Sequence, residues 1–154
     1  MLKGFRIFAA AVVLMIPAFL AGMHTASSQG TTKMHRIVFQ VSRDDVEGMN
    51  LTLGNAINAK KYYDSKGEQL QVEIVAYGPG ITMFREDKSP VKERIEEAKK
   101  AIPGIVLSMC GNAKAATEKR EGHEIFPLAG VGVVPAGIVR VVQLQEEGYT
   151  YVRP

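Results

Sequence analysis

The sequence predicts an α/β fold built on a mainly parallel sheet. Short apolar runs rich in β-branched residues alternate along the chain with segments whose apolar residues recur at helical spacing. This alternation is typical of strands that are joined by helical crossovers. The chain has 154 residues, and its main part has the length of one domain.

The first half of this domain contains two predicted strands and one predicted helix. Residues 35–41 and 70–77 are apolar runs in which valine and isoleucine recur, as is typical of strands. Between them, residues 48–65 place apolar side chains on one helical face, and Gly67 suits the left-handed position that ends a helix. The second strand runs into the sequence Gly78-Pro79-Gly80, which is typical of a turn.

The second half continues the alternation. Ser89 suits the N-cap of a helix and Pro90 suits its first position, and apolar residues then recur at helical spacing up to residue 102. Residues 138–147 contain a β-branched run that would suit a strand, but their helical face and the following Gly148 favour a helix. The other predicted elements are strands at 105–109, 131–134 and 149–152 and a short charged helix at about 112–121.

The N-terminal segment has the layout of an export signal. Lys3 and Arg6 precede an uncharged, almost wholly apolar run over residues 7–23, and small and polar residues follow it. A signal peptide has this order, and residues 26–28 fit a small-x-small cleavage site. We therefore predict a signal peptide at 1–28, with an uncleaved N-terminal anchor as the alternative. The protein is expected in the periplasm or outside the cell.

Residues 29–34 are predicted to form a polar linker, and residues 35–154 a single domain. Loss of the signal leaves 17 basic and 16 acidic residues, which is a formal charge of +1. A nearly neutral domain without tryptophan gives no support for a nucleic-acid partner, or for a membrane partner beyond the signal segment. The sequence also contains no motif that calls for a cofactor or a metal.

Cys110 is the only cysteine, and it lies at the predicted carboxyl end of a strand. Reactive groups gather at this edge of open α/β sheets. Asn112 can cap the helix that follows, so the thiol is expected near unpaired N–H groups that favour the thiolate, with Lys114 as a second positive charge. A thiolate accepts sulfur from persulfide or disulfide donors. The alternative is a buried cysteine that only packs.

A second candidate segment follows the second strand. Tyr77, Gly78 and Gly80 lie at its carboxyl end, where their backbone amides would border the Cys110 pocket. The alternative is a tight turn that needs glycine for a positive φ.

Short motifs also stand along the domain in a recognisable order. They are Asn55-Ala56-Ile57-Asn58, residues 75–81, Cys110-Gly111-Asn112, residues 133–137 and the tail 145–154. Together they resemble the DsrE/DsrF-like sulfur-relay family over residues 35–154. The resemblance implies a three-layer α/β/α domain, flavodoxin-like, around a mostly parallel five-stranded sheet. It also implies that Cys110 matches the family's sulfur-carrying cysteine, with Gly111 and Asn112 shaping the turn.

The function implied by this resemblance is that of an exported sulfur or persulfide carrier acting through Cys110 in sulfur relay or oxidation. Such a protein is sulfurtransferase-like rather than a stand-alone turnover enzyme. Its partners would be sulfur donor and acceptor proteins or small thiols, and it would form homo-oligomers, either trimers or hexamers. Where the family often has threonine and then a bulky apolar residue, this chain has Ala113 and Lys114. The alternative is a non-catalytic small-ligand-binding or oligomeric module of the same fold with an inert cysteine.

Overall fold

A computed structural model describes residues 33–154. The strands are β1 Met34–Val41, β2 Gln69–Ala76, β3 Val106–Cys110, β4 Val131–Val134 and β5 Thr150–Val152. The helices are α1 Val46–Ser65, α2 Lys92–Ala101, α3 Gly111–Glu121 and α4 Gly137–Glu146, and a 3₁₀ helix covers Gly78–Phe84. The predicted signal peptide and most of the predicted linker lie outside the described residues. Within residues 33–154, no helix is long and apolar enough to cross a membrane.

The predicted α/β fold with a parallel sheet is confirmed. The five strands are ordered β4-β3-β2-β1-β5, and every pairing is parallel. Each predicted strand and helix is present, and its ends differ from the prediction by at most two residues. The 3₁₀ helix was not predicted, because its glycines and proline are equally typical of a turn.

The start of α2 differs from the prediction. The helix begins at Lys92 with Val91 as its N-cap, not at Pro90 after Ser89. The Ser89 hydroxyl donates a hydrogen bond to the Met83 carbonyl and accepts a long one from the Val91 N–H. Ser89 therefore bonds the 3₁₀ helix instead of capping α2. This tertiary contact cannot be predicted from the local sequence, and it outweighs the preference of serine for the N-cap position.

The two faces of the sheet are covered unequally. On one face, α1 and α2 pack over the larger core, which includes Phe39 and Leu53. On the other face, α4 is the one helix of the described part of the chain, and it packs over a small core of Val38, Val75 and Leu144. The chain moves from β1 to β4 in one direction and returns to β5 in the other, so right-handed crossovers place α4 opposite the other helices. Among residues 33–154, nothing covers much of the β3–β4 surface on the α4 side.

Replacement of Gly80 by alanine is expected to destabilise the fold by about 1–3 kcal/mol. A Cβ at Gly80 would lie 2.4 Å from the carbonyl oxygen of Val41 at the end of β1, and this backbone cannot move aside. Gly54→Ala in α1 is the control, because nothing lies within 4 Å of its added Cβ. The control is expected to stabilise the helix by up to about 1 kcal/mol. Urea unfolding measures the stability of both variants. Equal stability of the two would contradict the close approach of Gly80 to the Val41 carbonyl.

Candidate functional site

Cys110 is both the last residue of β3 and the N-cap of α3, so the strand passes directly into the helix. Its Sγ accepts a hydrogen bond from the Ala113 N–H at 3.5 Å. This amide is one of the donors that a helix start leaves unpaired, and it brings the partial positive charge of the helix terminus to the sulfur. The prediction that Asn112 caps the helix is wrong. Because no loop separates strand and helix, Cys110 itself occupies the cap position.

The first turn of α3 packs against the loop that follows β4. The Asn112 N–H donates to the Pro135 carbonyl at 3.2 Å. A Cβ on Gly111 would lie 3.2 Å from the Val134 carbonyl oxygen and 3.3 Å from Cγ1 of Val133. Asn112 therefore contributes its backbone N–H to the site, and Gly111 contributes the absence of a side chain.

Tyr77 and Gly137 complete the surroundings of Cys110. Tyr77 follows β2, the strand that pairs with β3, and it stands beside the cysteine. A Cβ on Gly137, the first residue of α4, would lie 2.8 Å from the Tyr77 Cβ and 3.1 Å from the Cys110 Cβ. The start of α4 thus rests on both side chains, and we call residues 135–137 the cover. Burial, with a contribution from Tyr151, raises the pKa of the Tyr77 phenol, which stays neutral.

Gly78 and Gly80 hold Tyr77 in its place. Gly78 has φ +55°, a left-handed conformation that glycine adopts without strain. The Gly80 N–H donates to the Tyr77 carbonyl at 3.1 Å, and the Tyr77 N–H donates to the Val41 carbonyl at 3.0 Å. The Gly80 amide therefore closes a turn and is not directed at the Cys110 sulfur.

The cover leaves Cys110 only 6% exposed. Two helices, α3 and α4, begin at this point, and α4 has no side chain that caps its first N–H groups. The start of α3, whose Ala113 N–H bonds the sulfur, favours negative charge there, as a thiolate or as a persulfide anion. The arrangement can stabilise an ionised sulfur, while the enclosure limits which molecules reach it.

Comparison with known proteins assigns the chain to a family. The family model described as DsrE/DsrF-like matches residues 35–154, which is most of the chain. The chain belongs to the DsrE/DsrF-like family. It is also similar to a solved structure of a protein of unknown function from Methanobacterium thermoautotrophicum, with 29% identity and a TM-score of 0.64, over 78% of this chain and 99% of that chain. No curated protein matches. The resemblance predicted from the motifs is thereby confirmed.

Lys114 occupies a position where this member of the DsrE/DsrF-like family differs from the pattern described above. Its Nζ lies 2.6 Å from Oε1 of Glu118, one turn further along α3. The same oxygen accepts the Ile125 N–H at 2.8 Å, and these two bonds, the Ile125 amide first, hold the pKa of Glu118 below its usual range. The lysine charge is therefore balanced within α3 and adds less positive potential at Cys110 than its sequence position suggested.

A buried polar cluster on the α4 side of the sheet was not predicted from the sequence. Glu73 on β2 is 1% exposed. It accepts hydrogen bonds from the Ser108 hydroxyl at 2.7 Å and from Nε and Nη2 of Arg140 at 2.9 and 2.7 Å. The bond to Glu73 raises the pKa of Arg140. The sequence signal was a single acid within an apolar strand, with nothing to indicate its partners.

These three residues, which we call the anchor, connect the strands to the helix next to the candidate site. Ser108 precedes Cys110 by two residues on β3, so both side chains point to the same face. Arg140 lies in the first turn of α4, three residues after Gly137. The anchor therefore fixes the end of α4 that covers the cysteine.

A groove of about 610 Å³ lies beside the anchor, on the open part of the same face. Its walls are largely apolar and include Val106, Val134 and Val139, and Pro135 of the cover borders it. Val106 and Val139 are 46% and 51% exposed. The sequence did not predict this groove, since it results from α4 covering only part of the sheet.

A separate cluster joins the 3₁₀ helix to α3. Asp87, Glu121 and His123 bring possible metal-ligand atoms within 4.8 Å of one another. Arg85, which is 2% exposed, bonds Glu121 at 2.8 Å and Asp87 at 2.6 Å, and Lys88 also bonds Glu121. These bonds hold the pKa values of both carboxyls below their usual range. Because cations of the chain already balance the carboxylates, we assign the cluster a structural role.

Replacement of Glu121 by glutamine is expected to lower stability at neutral pH and to weaken the pH dependence of unfolding. The bonds from Arg85 and Lys88 depress the pKa of Glu121 in the folded chain, so its stabilisation is present above the unfolded value of about 4.3 and is lost as the pH falls below it. The difference between wild type and variant should therefore shrink in acid. Urea unfolding from pH 7 down to about pH 3 measures it.

Glu97→Gln is the matched control for this prediction. Glu97 pairs with Arg94 one turn away on the exposed surface of α2. Exposed pairs of this kind contribute little to stability. A Glu121 variant that behaves like the Glu97 variant at every pH would contradict the structural role of the cluster.

Proposed function

We propose that the protein is an exported sulfur carrier in which Cys110 holds a persulfide and passes its sulfur on in sulfur relay or oxidation. The observation that carries this proposal is the hydrogen bond from the Ala113 N–H to the Cys110 sulfur where α3 begins. Amides at a helix N-terminus stabilise an anionic sulfur. Membership of the DsrE/DsrF-like family suggests a sulfur-relay role, and the chain has no second cysteine to serve it.

The proposed chemistry begins with attack of the Cys110 thiolate on a sulfane sulfur of the donor. With a hydrogen polysulfide anion, a bond forms between Sγ and the terminal sulfur. The sulfur–sulfur bond of the donor breaks, and the shortened polysulfide leaves with the electron pair. No separate oxidant is needed, because the transferred sulfur is already at the sulfane level. An acceptor thiolate then attacks the outer sulfur and releases Cys110 as its thiolate.

The neighbouring residues act in this scheme by positioning. Gly111 admits the loop after β4, the Asn112 N–H holds the cover, and Tyr77, with its neutral phenol, packs at the start of α4 beside the cysteine. None of them supplies a second nucleophile or a redox group. The protein is therefore sulfurtransferase-like, a carrier that depends on its donor and acceptor.

The proposed location and partners follow from the sequence and the family. Residues 1–28 have the layout of a signal peptide, which supports export to the periplasm or beyond. Sulfur would come from, and go to, donor and acceptor proteins or small thiols. The expected assembly is a homo-oligomer, a trimer or hexamer, as the family resemblance implies.

The groove beside the anchor favours a second candidate function, that of a non-catalytic binding module. A concave, largely apolar site with a few polar groups is typical of ligand-binding pockets. In this case Cys110 would serve only as packing beneath the cover. Native mass spectrometry of the freshly purified protein distinguishes the two functions, because a binding module would carry a non-covalent ligand and have a sluggish thiol.

The proposed function predicts that Cys110 gains one sulfur atom when the folded protein meets sodium tetrasulfide. Intact-mass spectrometry measures the gain, and a reductant should reverse it. Cys110→Ser should abolish the gain completely, because serine cannot form a persulfide. Its fold should remain, since the hydroxyl of serine also caps a helix.

The control is Gly54→Ala in α1, whose added Cβ meets no neighbouring atom and which leaves Cys110 and the anchor in place. This variant should still take up sulfur. If the wild-type protein gains no sulfur at any polysulfide concentration while the unfolded chain does, the carrier function is wrong and the binding module is favoured.

A further inference from the structure

We propose that the cover restricts the loading of Cys110 to small inorganic sulfur donors, namely polysulfide anions, and that Arg140 is the positioning residue that keeps the cover closed. This inference rests on the proposed function, since it concerns how sulfur reaches Cys110. It narrows the donor from any protein or small thiol to one chemical class, and the same geometry leaves small thiols rather than proteins as acceptors.

The enclosure of the sulfur is the first argument. A new sulfur–sulfur bond is about 2.05 Å long, and two cysteines joined by one have Cα atoms about 4.4–6.8 Å apart. A cysteine persulfide on a donor protein adds one further sulfur, so the donor backbone would have to come within about 8 Å of the Cys110 Cα. That space is occupied by Gly137 and Tyr77, since even one added Cβ on Gly137 would lie 3.1 Å from the Cys110 Cβ and 2.8 Å from the Tyr77 Cβ. A polysulfide ion carries no backbone and needs only a narrow passage.

The attachment of the cover is the second argument. At its start, the cover is held by the hydrogen bond from the Asn112 N–H to the Pro135 carbonyl. At its end, Gly137 has no side chain that could pack on the sheet. The next inward-pointing group is Arg140, whose guanidinium makes two parallel bonds to the buried Glu73 carboxylate. Further along α4, Val141 and Leu144 are buried and hold the rest of the helix.

The apolar contacts of α4 and the bonds of Arg140 affect access to Cys110 differently. Loss of Val141 or Leu144 would weaken the whole helix, whereas loss of the Arg140 fork frees only the first turn. Lysine in place of Arg140 keeps the positive charge near Glu73 but cannot make the two parallel bonds. Arg140→Lys is therefore expected to loosen the cover without leaving a buried carboxylate unpaired.

The test compares two donors with the full-length protein: sodium tetrasulfide, and a small folded protein that carries one persulfidated surface cysteine. Intact-mass spectrometry gives the rate of sulfur uptake at Cys110 from each, and the urea-unfolded chain gives the intrinsic ratio of the two rates. For the wild type, the ratio of the tetrasulfide rate to the protein-donor rate should be about a hundredfold or more higher in the folded chain than in the unfolded chain. In Arg140→Lys this preference for tetrasulfide should be about tenfold smaller. A tenfold change corresponds to a loss of about 1.4 kcal/mol in the free energy that holds the cover closed.

Arg36→Lys is the matched control. Arg36 also bonds α4, through the Glu147 carbonyl, but it lies on β1 near the opposite end of the sheet and is exposed. This variant should keep the wild-type preference.

Gly137→Ala is a second variant, in which the added methyl group displaces the cover by contact. It should lower the preference for tetrasulfide as Arg140→Lys does. Urea unfolding of each variant separates a loosened cover from a loss of fold, because global unfolding would restore the intrinsic ratio completely.

Each failure has its own meaning. If the two donors load the folded wild type in the same rate ratio as the unfolded chain, the restriction to small donors is wrong, but the carrier function still stands. An unchanged preference in Arg140→Lys and Gly137→Ala would overturn the role of the cover and of Arg140. If neither donor loads Cys110 in any folded variant, the proposed function itself fails, and this inference fails with it.

Discussion

The structure around Cys110 depends on one constraint, the close approach of two helix starts at the end of β3. β3 and β4 are neighbours, yet their chains leave the sheet towards α3 and α4 on opposite faces. In open α/β sheets, such a divergence creates the crevice in which ligands bind. Here the crevice holds a cysteine, because Gly111 and Gly137 let the two backbones meet over it. A side chain at either glycine would separate them.

Charge and enclosure act together at this point. The amide at the start of α3 favours an anionic sulfur, and the surrounding residues, the cover among them, leave the cysteine 6% exposed. The cover is held by a partly buried ion pair between Glu73 and Arg140. Such pairs contribute little net stability, because the burial of the Glu73 carboxylate costs hydration that the bonds to Arg140 must offset. The pair therefore matters more for the position of α4 than for the stability of the domain.

The sequence predicted those features that depend on local pattern. Periodic apolar residues locate every strand and α-helix, though not the 3₁₀ helix, and the place of Cys110 at a strand end follows from them. The cap was assigned to Asn112 because the pattern does not reveal that β3 enters α3 without a loop. The Glu73–Arg140 pair joins residues 67 positions apart, and the contact of Gly137 with Cys110 forms only when the sheet does. No local signal marks either, so the anchor and the cover required the structure.

We expect folding to activate the Cys110 sulfur towards a small donor, despite its burial. The most direct test is the rate of sulfur uptake from tetrasulfide at about pH 6, where an ordinary thiol is almost wholly protonated. We expect the folded chain to react faster than the same chain unfolded in urea. A folded chain that reacts more slowly than the unfolded one would show that burial outweighs the helix amide, and would contradict the account.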